Sequence, residues 1–223
     1  MKKFIITIFM FILPLTAAKA IEGVNVGVSV MGGVFEAEGA KEMFKGAHSG
    51  VASPGDVTNS TAGNDEAKGD FVLGSLFIEK TIGDKFAIGF DYVPMTAETE
   101  TTENTVGNSS VNKVQVDFED LMTIYGTLAF TDNIYGKIGY SEVKAVTNEN
   151  LATGGSYGNV TLEGYVIGLG YNRDLDSGAF VRVEANYMDF DGATLTNQTD
   201  STKSVSADGF DGYGARISVG RSF

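Results

Sequence analysis

The feature that most constrains this chain is a strict alternation of side-chain character over residues 113–130. Even positions there carry mostly apolar side chains such as Val116, Ile124 and Leu128, while odd positions carry mostly polar ones. Because successive side chains of a β-strand point to opposite faces, the pattern predicts a strand with one oily face and one polar face. A helix with this sequence would spread its charges around its whole surface.

The same period recurs along the chain, so we predict an all-β fold of eight strands. The links between strands alternate in length, with long polar links at 39–69, 98–112, 148–158 and 191–208 and short links elsewhere. This rhythm is typical of an antiparallel up-and-down transmembrane β-barrel, in which the tight turns share one rim and the termini lie in the periplasm. The predicted strands are 24–34, 71–80, 86–95, 113–130, 134–147, 160–171, 179–190 and 210–223.

The first twenty residues have the organisation of a secretory signal peptide. Lys2 and Lys3 precede an apolar run over residues 4–15, and Ala18-Lys19-Ala20 forms an Ala-x-Ala cleavage site. We therefore predict a cleaved signal at 1–20 and an outer-membrane β-barrel domain at 21–223. No cysteine occurs in the chain, which excludes disulfides, thiolate metal sites and a lipid-bearing cysteine.

Aromatic residues fall near both ends of the predicted strands, as expected for two belts at the membrane interfaces. One set lies beside short turns or the C-terminus, and the other lies toward the long loops. The first set is Phe86, Phe130, Tyr171 and Phe223, and the second is Tyr92, Tyr140, Tyr165, Tyr187 and Tyr213.

The signal peptide, the eight alternating segments and the last strand resemble the small OmpA-like and OmpX-like outer-membrane barrels of Gram-negative bacteria. The resemblance implies an integral outer-membrane protein surrounded by lipid. It also implies that Tyr213, Ile217, Val219 and Phe223 form the signal recognised by the barrel assembly machinery. Arg221 departs from that pattern, since an apolar residue is usual two places from the end.

The predicted inward side chains carry both signs of charge. An eight-stranded barrel is just wide enough for its own side chains, and charges held away from water need partners. We therefore expect a structural network inside the barrel with Arg182, Glu184 and Arg216 near its middle. A narrow channel for ions or small solutes, as in the porin family, is the alternative function of these residues. The predicted inward set is Glu79, Lys85, Asp91, Asp117, Glu119, Lys137, Arg182, Glu184 and Arg216.

The net charge of the chain indicates which classes of partner it can bind. The chain has 29 acidic and 16 basic residues and a net charge of −13, which argues against nucleic acid and favours divalent cations or an extracellular ligand at the loops. The sequence predicts no catalytic residue, cofactor or metal site. The single histidine, His48, lies beside Ser49 in the longest link, and Asp189-Phe190-Asp191-Gly192 lacks the further acid of a calcium loop.

These observations predict a non-enzymatic barrel with a structural, surface-interaction or adhesion role. A lipid A-modifying enzyme is a less favoured alternative. A soluble lipocalin-like barrel would have the same strand count, but its apolar face would point inward.

Overall fold

The computed structural model describes residues 22–38, 41–44, 67–99, 101–106, 110–151 and 155–223. The predicted signal peptide at 1–20 lies outside these ranges, as do His48 and Ser49. Within the described ranges, no helix is long and apolar enough to cross a membrane.

The described residues form one antiparallel sheet that closes into a barrel through the pairing of its first and last strands. Eight long strands follow one another around the barrel, which confirms the prediction of an eight-stranded antiparallel barrel. The short strands β5 and β6 continue the line of β4 along β7, and β2 pairs with β11 beyond the barrel wall. The strands are β1 (Val24–Glu38), β2 (Lys41–Phe44), β3 (Ala67–Ile82), β4 (Phe86–Val93), β5 (Ala97–Glu98), β6 (Thr102–Val106), β7 (Ser110–Ala129), β8 (Ile134–Asn150), β9 (Val160–Asp174), β10 (Ala179–Thr196) and β11 (Lys203–Ser222).

The two ends of the barrel differ. Short turns over residues 83–85, 130–133 and 175–178 lie at one rim, which we call the turn end. The start of the first strand and the end of the last strand meet there too, because the Gly23 amide donates to the Phe223 carbonyl at 2.6 Å and the Phe223 amide donates to the Val24 carbonyl at 2.9 Å. The opposite rim, where the longer connections lie, is the loop end.

Polarity is distributed as in a membrane barrel, with apolar side chains on the outer face. Ile138, Ile124 and Ile217 are 65%, 61% and 59% exposed, whereas Ser141 and Ser29 are 1% and 4% exposed inside. The oily rows predicted from the sequence therefore point away from the barrel axis. This arrangement is the opposite of the soluble lipocalin-like alternative.

A β-bulge in β7 changes which residues face inward. The register with β8 shifts between Glu119 and Met122, so Asp120 and Leu121 together oppose one residue of β8, and Asp120 has a φ of 54°. Because side chains alternate with period two, one extra residue moves every side chain beyond it to the opposite face. Phe118 consequently packs inside the barrel, and Glu119 points outward.

Candidate functional site in the barrel interior

Strand β10 shows how the interior is organised along the barrel. Its inward side chains change from charged to polar to apolar on going from the turn end to the loop end. The interior therefore has a charged layer at the turn end and in the middle of the barrel, and an apolar layer toward the loop end. After Phe180 at the turn end, the inward residues in order are Arg182, Glu184, Asn186, Met188 and Phe190.

One half of the charged layer is built around Glu79, which is 2% exposed. Arg182 binds it with two nitrogens, Nη1 to Oε2 at 2.5 Å and Nη2 to Oε1 at 2.9 Å. The Asn25 amide and the Tyr125 hydroxyl also donate to this carboxylate, at 3.1 and 3.0 Å. A buried carboxylate with four donors has its hydrogen-bonding capacity largely filled, which offsets the cost of removing it from water.

The other half is centred on Arg216. Its Nη1 and Nη2 donate to the two oxygens of Asp91 at 2.7 and 3.3 Å, and its Nε lies 3.7 Å from Glu184. Lys137 lies 3.5 Å from the same Glu184 oxygen, and the Tyr135 hydroxyl donates to the other at 3.0 Å. Within the described residues, this layer thus balances three carboxylates against three cations.

The structure brings together six of the predicted lumen residues: Glu79, Asp91, Lys137, Arg182, Glu184 and Arg216. Lys85 is exposed at the turn end, where it lines the opening of the same interior together with Glu79 and Arg182. The placement of Asp117 and Glu119 was wrong. Asp117 accepts from Asn148 at 2.6 Å, and Glu119 pairs with Lys144 at 3.2 Å on the outer face. The bulge at Asp120 explains why Asp117 and Glu119 face outward, because it reverses the alternation from which they were predicted to face inward.

The apolar layer consists largely of aromatic and methionine side chains. Phe190 stacks on Phe210 with ring centroids 4.5 Å apart, and Phe118 lies 5.2 Å from Phe210. This layer was not predicted from the sequence. Its signal was present in β10, where Met188 and Phe190 continue the inward row of Arg182 and Glu184. The buried cluster comprises Met31, Phe71, Val143, Val166, Met188 and Phe190.

A cavity of about 60 Å³ lies within this layer, and we call it the apolar chamber. Room for one water takes roughly 10–15 Å³ in the same measure, so the chamber suits a small molecule or one short alkyl chain. Its lining contains no charged side chain. The lining residues are Phe35, Phe71, Leu73, Val93, Met95, Ala97, Phe118, Leu121, Val143, Met188, Phe190, Phe210 and Gly212.

The wall of the chamber is interrupted on one side. Strand β4 ends at Val93 because Pro94 has no amide hydrogen to continue the ladder. Strand β3 pairs with β4 only from Leu76 to Ile82. From Leu76 toward the loop end, the described residues of β3 have ladder partners on one side, in β1. On the edge of β3 that faces away from β1, the Gly74 amide donates a hydrogen bond to the sulfur of Met95 at 3.1 Å. We call this interruption the β3 seam; Leu73, Met95 and Ala97 line the chamber beside it.

No family model matches this chain, and a comparison with curated proteins finds no relative in sequence. Solved structures do match. The outer membrane protein AlkL in lipid bilayers has a TM-score of 0.52 at 14% identity, with 94% of each chain covered. OprG from Pseudomonas aeruginosa has a TM-score of 0.47 at 13% identity, with 88% of this chain and 96% of that chain covered. At these identities the likeness concerns the fold.

The closed sheet, its apolar outer face and the likeness to AlkL define the fold. The chain folds as an eight-stranded antiparallel β-barrel of the kind seen in small outer-membrane proteins, with the apolar outer face of a membrane-spanning sheet.

The predicted assembly-signal residues lie on the last strand and directly after it. Tyr213, Ile217 and Val219 are exposed on the outer face of β11, and the backbone of Phe223 pairs at the barrel closure. Their role as a sorting signal remains a prediction. In the part of the chain that the structure describes, no three His, Cys, Asp or Glu side chains cluster in a way that could hold a metal ion.

Proposed function

We propose that this barrel is non-enzymatic and that it admits small apolar molecules into the apolar chamber from outside the cell, then releases them sideways into the membrane. The observation that carries the proposal is an uncharged chamber at the loop end that borders the β3 seam. In this proposal the loop end faces outward, and the turn end with both termini faces the periplasm. Each CH₂ group that leaves water for the chamber contributes about 0.8 kcal/mol.

The charged layer is the reason to propose a lateral exit. A molecule that crossed it would have to separate Arg216 from Asp91 or Arg182 from Glu79, and an uncompensated buried charge costs several kcal/mol. An apolar molecule loses little on moving from the chamber into lipid, because both surroundings are apolar. The same buried and paired charges argue against the narrow ion channel considered as an alternative.

Filling the chamber should slow this uptake. We expect Leu73→Trp to reduce the rate at which an apolar fluorescent dye enters the membrane of expressing cells several-fold, because the larger ring occupies the cavity beside the seam. The matched control is Val72→Trp, since Val72 is 65% exposed on the outer face and its substitution leaves the chamber unchanged.

Equal dye entry with both variants and with the unmodified barrel would contradict the proposal. Purified protein in a planar bilayer is expected to carry no ionic current. A steady single-channel current would favour the ion channel instead.

A second candidate function is surface interaction, and it is favoured by an ordered group of residues at the loop end. The Gln198 amide donates to the Ser156 carbonyl at 2.8 Å, so the β8–β9 connection is tied to the β10–β11 hairpin. Asn197 is 4% exposed and its carboxamide oxygen accepts from the Thr199 amide at 3.0 Å. Asp191 and Asp208 are exposed at the same end of the barrel, and exposed acidic side chains suit a basic partner.

This second function predicts that an oligolysine peptide binds the purified barrel at low salt. We expect the double variant Asp191→Asn/Asp208→Asn to weaken this binding at least about threefold, because both acids are exposed at the loop end. Asp84→Asn, at the turn end, serves as the control. Binding that is insensitive to the loop-end pair, or lost equally in the control, would exclude a specific acidic surface.

The remaining partners are proposals of the same kind. The outer face is proposed to contact outer-membrane lipid, and the last strand is proposed to engage the barrel assembly machinery during insertion. Divalent cations at the loops stay a prediction from the net charge.

A further inference from the structure

We infer that the side chain of Met95 is the gate of the β3 seam. It closes this side of the apolar chamber at rest, and its sulfur releases the Gly74 amide when a molecule passes between the chamber and the lipid. This inference rests on the proposed function, since it assigns the moving part of the same lateral exit. It starts from the contact that joins β3 to the segment between β4 and β5.

Two strand edges face each other at the seam without a backbone ladder between them. From Leu76 toward the loop end, the described ladder partners of β3 lie in β1, while β5 pairs with β7 through Ala97 and Glu98. A backbone amide that faces lipid without a partner is unfavourable, because hydrocarbon offers no hydrogen bond. The Gly74 amide donates to the Met95 sulfur at 3.1 Å. A side chain therefore takes the place of a neighbouring strand at this point.

The position of Met95 lets its side chain separate the chamber from the lipid. Met95 lines the chamber, yet it is also 48% exposed. Gly74 lies between Val72 and Leu76, which are exposed on the outer face, so by alternation Gly74 also faces outward. A Cβ built at Gly74 would lie 3.2 Å from the Met95 sulfur, which places the sulfur against the outward side of this glycine. The side chain thus reaches across the seam from the chamber to the outer face.

Two properties make this contact easy to open. A thioether sulfur is a weak acceptor, so less is lost when it leaves the amide than when a bond between two strands breaks. A methionine side chain also has three rotatable bonds. Because β4 ends at Val93 and β5 begins at Ala97, Met95 lies outside both strands. Its side chain can therefore move aside while the pairing of the strands is kept.

The test measures how fast pentane exchanges between the lipid and the chamber, using the barrel in lipid nanodiscs with ¹³C-methyl-labelled methionines. Met188 lines the chamber and reports pentane there, whereas Met122 lies on the outer face and reports pentane in the lipid. A gate acts on entry and exit alike, so its variants should change both rates and leave the dissociation constant nearly unchanged. A side chain that only lines the chamber would change the dissociation constant instead.

Two substitutions of similar size should act in opposite directions. Met95→Leu keeps an apolar side chain but removes the acceptor, so exchange should be at least about threefold faster. Met95→Gln replaces the sulfur by an amide oxygen, which is a stronger acceptor for the Gly74 amide, so exchange should be at least about threefold slower. Heat-resistant electrophoretic mobility checks that each variant is folded.

A covalent link across the seam gives a second measurement. The chain contains no cysteine, so Gly74→Cys/Met95→Cys presents two thiols at the seam and none elsewhere. Joining them with a short cross-linker that a reductant cleaves should slow exchange at least about tenfold, and the reductant should restore it. The matched control is Ile78→Cys/Phe90→Cys, which joins two outward residues that are already paired between β3 and β4. Its link should leave exchange unchanged.

The outcomes separate the inference from the function on which it rests. If pentane shifts Met188 but its exchange rate is the same in Met95→Leu and Met95→Gln, or is unaffected by the link at the seam, the inference is overturned. The comparison of Leu73→Trp with Val72→Trp then still decides the proposed function. If pentane shifts Met122 and does not shift Met188, the chamber binds no apolar molecule, and the proposed function fails together with the inference.

Discussion

Replacement of Arg216 by methionine is expected to lower the free energy of unfolding by about 3–5 kcal/mol. The methionine has a similar apolar length but removes the bidentate partner of Asp91 and one of the two cations near Glu184. Asp91 is 2% exposed and, among the described residues, would keep only the 3.0 Å hydrogen bond from Ser75. Urea titration of the barrel refolded in lipid vesicles measures the effect.

The double variant Arg216→Met/Asp91→Leu tests the cause. It removes both members of the pair, and Glu184 retains Lys137, so most of the lost stability should return. Lys144→Met breaks the exposed pair with Glu119 and should cost no more than about 1 kcal/mol. A loss for Arg216→Met as small as that of Lys144→Met would show that the charged layer does not stabilise the barrel.

Gly170→Val is expected to cost about 3 kcal/mol or more. The ring of Tyr135 lies directly against Gly170, so any Cβ at this position collides with the ring. The ring has little freedom to move, because its hydroxyl donates to the buried Glu184 at 3.0 Å. The substitution therefore both overpacks the interior and breaks a hydrogen bond to a buried charge. Thermal or urea unfolding in lipid measures it.

Gly32→Val is the matched control on the outer face. A Cβ at Gly32 meets only the backbone oxygen of Phe71 at 3.8 Å, so the barrel should keep its stability. If Gly170→Val were tolerated as well as Gly32→Val, the contact between Tyr135 and Gly170 would not be a constraint on the interior.

The sequence predicted the charged layer better than the apolar one. Glu79, Asp91 and Glu184 lie at inward positions of strands whose alternation is regular, so counting by two placed them correctly. Asp117 and Glu119 were misplaced because the same count was carried through Asp120, where the chain inserts a bulge. A bulge is defined by two strands together, and the sequence of one strand does not specify it.

The sequence also did not predict which charged side chains pair with each other inside the barrel. Arg182 binds Glu79, 103 residues away, and both would have fitted several other pairings by charge alone. The apolar chamber is likewise formed by segments that are distant in sequence, since its lining comes from β1, β3, β4, β5, β7, β8, β10 and β11.

The sequence by itself determined that this chain forms eight strands and that most of them have one oily face and one polar face. That information is local, because the period of two is a property of each strand's own backbone. Only the tertiary structure decided where the alternation reverses, which charges pair and where the apolar chamber and the β3 seam lie. These features arise when distant strands meet across and around a closed sheet, so they depend on register and closure and not on any single stretch of sequence.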